Sequence, residues 1–246
     1  MQHHSYFIFM TNKTKFYCLA FIFCFVTTTV FAQVPRLTKK EQRQGWQLLF
    51  DGTSSKGWQK SNGQPFPQKG WVINDGVLST DTTAGKGRGG DIVTEELFTN
   101  FELTLEFKIV PGSNSGIKYF LLPKSSLGCE FQILDDERHP DAKLGINGNR
   151  KQGGLYDLIA PDANKHDMPV GEWNRARIIV KGNHVEHWLN GKKTVEYERG
   201  SEAFKKLVAG SKYKNIKGFS EPTQSPILLQ DHGDMVLFRN IKIRKL

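Results

Sequence analysis

Cysteine is scarce: three in 246 residues, two of which, Cys18 and Cys24, sit in an apolar stretch near the N-terminus. Once that stretch is removed, Cys129 stands alone, which excludes an intramolecular disulfide. Long basic runs are missing as well. The formal charge is +9, yet no Lys/Arg run exceeds two residues and no nucleic-acid motif is present, so the charge describes a basic surface and not a nucleic-acid partner. Helical periodicity is rare, no βαβ alternation occurs, and no unit of 20–50 residues repeats, which excludes parallel α/β folds and solenoids. TTAGKGRGG (82–90) is Gly-rich but lacks a GK[ST] ending and the strand–loop–helix context of a phosphate loop, so it reads as a surface loop.

The N-terminal stretch has its own pattern. Lys13 and Lys15 precede FYCLAFIFCFVTTTVFA (16–32), and Val30-Phe31-Ala32 leaves a small residue before Gln33. Seventeen residues carrying three threonines are short for a membrane span, which needs about 20 apolar residues. The pattern predicts a signal peptide over 1–32, a lead segment over 33–44, and one domain over 45–246. The expected protein is exported to the periplasm or beyond, carries a net charge of +7, and keeps no membrane insertion after cleavage. Tyr17 and Phe23 stand before the two cysteines, where a lipid-anchored start requires a small residue.

Beyond residue 45 strands dominate. FELTLEFKIV (101–110) alternates apolar and polar positions, the mark of a half-buried strand. WVINDGVLST (71–80) and HVEHWLNGKKTVEYE (184–198) read as hairpins, the first turning around Asn74-Asp75-Gly76 and the second at Asn190-Gly191. WQLLF (46–50), GIKYFLL (116–122), CEFQIL (129–134), RARIIVKG (175–182), PILLQDHG (226–233) and MVLFRNIKIRK (235–245) complete the set. Short helices are expected in 37–45 and in 201–213, the latter capped by Ser201. The fold class is therefore all-β, an antiparallel sandwich.

One stretch concentrates ionisable groups. CEFQILDDERHPDAK (129–143) sends Glu130 and Gln132 to one face of a strand and then gathers Asp135, Asp136, Glu137, Arg138, His139 and Asp141. The expectation is that this knot borders an active site. Pro140 restricts His139 to extended backbone, and the acids beside it would favour the imidazolium. A bulge would bring Asp135 round to the face of Glu130. The same acids with His139 hold enough oxygen and nitrogen ligands for a divalent metal, although neither an EF-hand nor an H-x-x-x-H spacing appears, and the sequence requires no cofactor.

Taken in order, GWQLLFDGTSSKGW (45–58), NSGIKYF (114–120), EFQILDDERHPDAK (130–143), GGLYDLIAP (153–161), GEWNRARIIVKGNHVEHWLNGKK (171–193) and SPILLQDHGDMVLFRNIKIRKL (225–246) resemble the exported 3-keto-disaccharide hydrolase family, also described as 3-keto-glucoside 1,2-lyases and 3-keto-2-hydroxy-glucal hydratases. The resemblance implies a concanavalin A-like jelly roll with sugar on one sheet. The implied substrate is a small glycoside already oxidised at C3 by a separate dehydrogenase. A ketone at C3 acidifies the C2 proton, so elimination across C1–C2 followed by rehydration gives net hydrolysis. Such chemistry needs a base, donors for the enolate and leaving oxygens, and contacts to hydroxyls. Candidate catalytic residues are His139, His232, Glu130 and Asp135. Candidate substrate-binding residues are Gln132, Lys118, Tyr156, Gln230, His187 and Asn114. Lys118 stands where the family often places a basic residue followed by an aromatic or Arg, and a lysine offers a point charge in place of a planar fork. Two rivals share the architecture: a non-catalytic carbohydrate-binding module and a retaining glycosidase. The second would carry E-x-D-x-x-E, whereas here Gln132 replaces the middle acid and Asp135 the last.

Overall fold

The computed structural model describes residues 34–82 and 89–246; the expected signal peptide and residues 83–88 of the Gly-rich stretch lie outside these. Among the described residues two antiparallel sheets account for nearly all regular structure. The elements run α1 (Lys39–Arg43), β1 (Gln47–Leu48), β2 (Trp58–Lys60), β3 (Trp71–Asn74), β4 (Val77–Thr80), β5 (Ile92–Thr94), β6 (Phe101–Ile109), β7 (Asn114–Tyr119) and β8 (Cys129–Leu134), then a 3₁₀ turn at Pro140–Lys143. They continue with β9 (Asn174–Lys181), β10 (His184–Leu189), β11 (Lys192–Glu198), α2 (Glu202–Ala209), β12 (Leu228–Leu229) and β13 (Val236–Lys245). One sheet has the order β11-β10-β9-β6-β13-β4-β3, with β1 also on β13; the other has the order β2-β5-β12-β7-β8. This is an all-β jelly-roll sandwich with two short α-helices, and no helix among the described residues is long and apolar enough to cross a membrane.

Local chemistry explains the joints. Asp75 and Gly76, and again Asn190 and Gly191, take positive φ, as a two-residue turn matched to strand twist requires. Ser201 accepts the Phe204 N–H and Thr38 forms a capping box with Glu41, which fixes both helix starts. Helix α2 ends four residues before the expected 213, because Gly210 caps it. Strand β7 ends at Tyr119, short of the expected Leu122, where Phe120 adopts φ +53°.

The core lies between the sheets. Along β6, Phe101, Leu103, Leu105, Phe107 and Ile109 point inward. Glu102 and Glu106 point outward into arginine ladders formed by Arg177 and Arg244, and by Arg175 and Arg239. From the other sheet, Tyr119 reaches Phe101, its ring centroid 6.3 Å away. It also reaches His187 of β10, its hydroxyl 2.6 Å from Nε2. His187 is therefore a core residue at 0 % exposure, and the expectation that it binds substrate is corrected. Burial pushes its imidazole down to about 3, so it is neutral at ordinary pH.

Candidate active site

Strands β7 and β8 pair antiparallel with Lys118 opposite Glu130 and Gly116 opposite Gln132. Period-two alternation divides each strand: Ile117 and Tyr119, with Phe131 and Ile133, enter the core, while Asn114 and Lys118, with Glu130 and Gln132, share the outer face. That outer face is not open to water. Glu130 is 4 % exposed and Gln132 1 %, because the chain at Ser126–Gly128, Tyr156 and Lys212–Tyr213 closes over them. The resulting cavity has a volume of about 100 Å³, and Gln230 and His232 complete its lining. This is well below the roughly 300–1,000 Å³ of pockets that engulf a ligand. A cavity of this size admits only part of a small molecule and leaves the remainder at its rim.

Six of the expected site residues meet here with Glu130: Asn114, Lys118, Gln132, Tyr156, Gln230 and His232. Lys118 Nζ lies 3.5 Å from Glu130 Oε2. Burial raises the carboxyl pKa, and the lysines at 118 and 212 oppose that rise. A buried carboxylate with raised proton affinity, set beside two cations, is suited to taking a proton. Glycine at 116 is what admits it. A Cβ there would fall onto Glu130 Oε1 and within 2.8 and 2.9 Å of its Cδ and Cγ.

Sequence reasoning missed Lys212 and Tyr213, because 201–213 reads as one helix. The segment instead turns after Gly210, and the Lys212 N–H donates to Asp157 at 2.8 Å. Asp157 also takes Arg150, which forks onto Asp141 at 2.8 Å. Lys212 Nζ then stands 4.1 Å from the Tyr156 ring centroid. Partial burial lowers its pKa, and Lys118 pushes the same way while Glu130 opposes. The available signal was Gly210, a helix stop followed by a polar-aromatic pair.

The acidic knot has a different use from the expected one. Asp135 does not join Glu130. Its carboxylate accepts from the N–H groups of Gly112 at 2.8 Å, Glu137 at 3.1 Å and Arg138 at 3.2 Å. Burial would raise its pKa, but these bonds hold it below the usual carboxylate range. A turn-fixing acid of this kind leaves the catalytic set. Asp136 binds the Gln152 N–H and Lys165, and Asp141 binds Arg150. The knot is thus a latch between loops, and its acids are dispersed among separate partners, so they do not surround one ligand point.

His139 alone carries the knot to the site's edge. Its backbone is extended at φ −75°, ψ 129°, as Pro140 requires, and its Nδ1 accepts the Asp141 N–H. Nε2 is 3.9 Å from Asp234 Oδ2, and His232 Nδ1 is 3.6 Å from the same oxygen. His139, His232 and Asp234 offer ligand atoms within 4.8 Å of one another. A ligating imidazole nitrogen needs its other nitrogen protonated and aimed at an acceptor. Nδ1 of His139 instead meets an N–H donor, which places the proton on Nε2. The cluster fits proton handling better than metal binding.

Larger grooves lie elsewhere. One of about 480 Å³ beside α2 is lined by Arg199, Phe204 and Phe219, with Glu221 as its one carboxylate. Its Arg199 is spent on the Ser220 and Pro222 carbonyls and on Asn183.

Comparison with known proteins converges on one family. Residues 45–244 match the model of a 3-keto-alpha-glucoside-1,2-lyase-like domain. A 3-keto-disaccharide hydrolase of Bacteroides thetaiotaomicron is 34 % identical over 243 residues, covering 87 % of this chain and 83 % of the relative. A crystal structure of a candidate glycosyl hydrolase from Parabacteroides distasonis superposes with a TM-score of 0.77 at 34 % identity, over 87 % of this chain and all of the other. A second from that organism gives 0.64 at 32 %, over 82 % and 99 %.

Proposed function

The chain belongs to the 3-keto-alpha-glucoside-1,2-lyase-like family, a family of enzymes acting on glycosidic bonds, and from that premise we propose that it cleaves 3-keto-glycosides by elimination across C1–C2 and rehydration. One observation carries the choice of mechanism. Among the described residues that line the cavity, Glu130 is the one carboxylate. Glycosidases that displace the aglycone directly work with two carboxyls, roughly 5–9.5 Å apart across the scissile bond. A lone buried carboxylate between two lysines instead suits removal of a carbon-bound proton and stabilisation of the enolate oxygen. A binding module is disfavoured by the same lining, since a buried Glu–Lys pair carries a desolvation cost that contacts to sugar hydroxyls alone do not require.

Glu130 takes the C2 proton, and the electron pair forms an enolate whose C3 oxygen lies toward Lys118 and Lys212. The enolate collapses to the ketone, C1=C2 forms, and the C1–O bond breaks with His232 protonating the departing oxygen. Water then adds at C1 and a proton returns to C2. His139 and Asp234 orient His232, while Tyr156 and Gln230 contact hydroxyls. The ketone itself is supplied by a separate dehydrogenase.

The test compares one disaccharide with its 3-keto form, with deuterium at C2 in a parallel sample. Turnover is expected for the ketone alone, with a primary isotope effect. Comparable turnover of the unoxidised sugar would overturn the elimination and restore a direct displacement. Export is proposed from Lys13, Lys15 and the 16–32 stretch; an N-terminus of the secreted protein far from Gln33 would contradict it.

A further inference from the structure

Between the base and the acid lie two amides to which the chemistry above gives no role. Gln132 sits 3.3 Å from Glu130 Oε1 at one end of its amide and 3.2 Å from the Asn114 amide at the other. Asn114 in turn is 3.5 Å from His232 Nε2. Gln132 and Asn114 are both buried, which shields the Glu130 end of the chain of contacts from water, while the His232 side chain at the far end is 45 % exposed. We propose, resting on the elimination reading, that Gln132 and Asn114 form an amide relay that ties the protonation state of Glu130 to that of His232.

Donor and acceptor polarity dictates the coupling. An amide presents oxygen at one end and N–H at the other, and a half-turn exchanges them, so its neighbours decide the orientation. When Glu130 is ionised it demands a donor. Gln132 then gives its N–H to Glu130 and to the Ser115 carbonyl, 3.2 Å away. Its oxygen accepts from Asn114, the Asn114 oxygen accepts from His232 Nε2–H, and His232 Nδ1 faces the Asp234 carboxylate. The relay thus calls for a proton on Nε2, and the Asp234 carboxylate 3.6 Å from Nδ1 favours a second one there. When Glu130 is protonated every arrow reverses. Its O–H donates to Gln132, Gln132 donates to Asn114, Asn114 donates to a bare His232 Nε2, and His232 is neutral with its proton on Nδ1. The relay therefore admits ionised Glu130 with charged His232, or neutral Glu130 with neutral His232, and opposes the mixed pairs.

Those two states are the start and the end of the elimination. Glu130 begins as a carboxylate and gains the C2 proton; His232 begins charged and gives its Nε2 proton to the leaving oxygen. Rehydration runs them backward, since neutral His232 takes a proton from the incoming water as Glu130 returns one to C2. No proton passes through the amides, which only turn over. Ser115, and Gln230 with its amide 3.0 Å from Lys118 Nζ and 3.3 Å from Glu130 Oε1, favour the ionised resting state.

Other charges act on both ends and must be separated from the relay. Lys118, Lys212 and Asp91 face Glu130, and Asp234 and His139 face His232. A double-mutant cycle read by ¹⁵N NMR of His232, on the full chain without substrate, does this. Glu130→Gln should move the His232 ring ¹⁵N signals, read at one fixed pH, toward those of the neutral Nδ1–H form. In a Gln132→Met background the same change should move them by less than about half as much, because only the through-space charge remains. Asn114→Leu severs the relay at a second point and should match, with the amide spectrum reporting an intact fold in either variant. Equal shifts in all backgrounds would overturn the relay. Because no substrate is present, failure of the 3-keto turnover assay would sink the function and leave this result standing, and equal shifts alongside normal 3-keto turnover would sink the relay alone.

Discussion

Gly116→Ala isolates the placement of Glu130 from its chemistry. The residue has no left-handed φ, so an alanine costs the backbone nothing and removes some entropy from the unfolded chain. Its methyl would stand 2.8 and 2.9 Å from Glu130 Cδ and Cγ. Carbon atoms settle near 3.5–4.0 Å, so the Glu130 side chain must retreat by about 1 Å. It cannot do so by swinging its tip alone, because the clash reaches Cγ, and Lys118, Gln132 and Gln230 crowd the remaining directions. Overpacking of this kind costs about 1–3 kcal/mol, a fall in Tm of several degrees for a domain of this size. A base misplaced by about 1 Å loses on the order of 100-fold in rate. The assay is kcat and KM on a 3-keto-glycoside, with Tm in parallel. The expected outcome is a large kcat loss, a folded protein and a modest KM change. A kcat within about twofold of wild type would refute the claim that the glycine reserves space for the catalytic carboxylate.

Asp135→Asn should destabilise by about 1–3 kcal/mol by weakening the acceptor of three backbone N–H groups, with kcat on the folded enzyme unchanged; urea titration and steady-state kinetics separate the two. Lys212→Met should cut kcat by about 10-fold or more while leaving Tm within a few degrees, since its ammonium serves the cavity and its backbone N–H keeps Asp157. His187 has a folded pKa of about 3 against 6.5 unfolded. The unfolded chain therefore binds the extra proton, and the stability present above pH 6.5 is lost as pH falls toward 3, by up to roughly 5 kcal/mol. In His187→Leu that slope should flatten, so the stability gap between the two proteins narrows on acidification, as pH-dependent urea unfolding would show.

Legibility in the sequence tracks the range of the interaction. The 75–76 and 190–191 turns, the Ser201 cap and the alternation of 101–109 are set by neighbours a few residues apart, and each stands as the pattern predicts. Asp135 departs from expectation because one of its donors, Gly112, lies 23 residues away, and although its bonds to the Glu137 and Arg138 N–H groups are local, nothing in ILDDER says that the fold turns the carboxylate from Glu130 toward the 112 loop. The facing of His187 opposite Glu186 and Trp188 is legible from period two, but not which face is the core: Trp188 lies outward against Arg177. The strand 129–134 misleads in degree, being buried on both faces, because Tyr156 and Lys212–Tyr213, distant in sequence, join the adjoining Ser126–Gly128 in roofing its polar side.

The same pattern that builds the core also aims Glu130, the proposed base. Strand β8 places Phe131 and Ile133 in the sandwich at 0 % exposure, and a one-residue slip against β7 would exchange them with Glu130 and Gln132. That slip would bury a carboxylate and an amide between two apolar sheets, several kcal/mol for the charge alone, and expel two large apolar side chains worth about 1.5–3 kcal/mol each. Register is thereby fixed by stability. Once fixed, it sets Gly116 opposite Gln132 and Lys118 opposite Glu130, which supplies both the vacant volume and the counter-charge that the carboxylate uses. An exchange of Phe131 for a smaller apolar residue should loosen activity and stability together, whereas an exchange of Gly116 should separate them, because only the first disturbs what holds the strand in register.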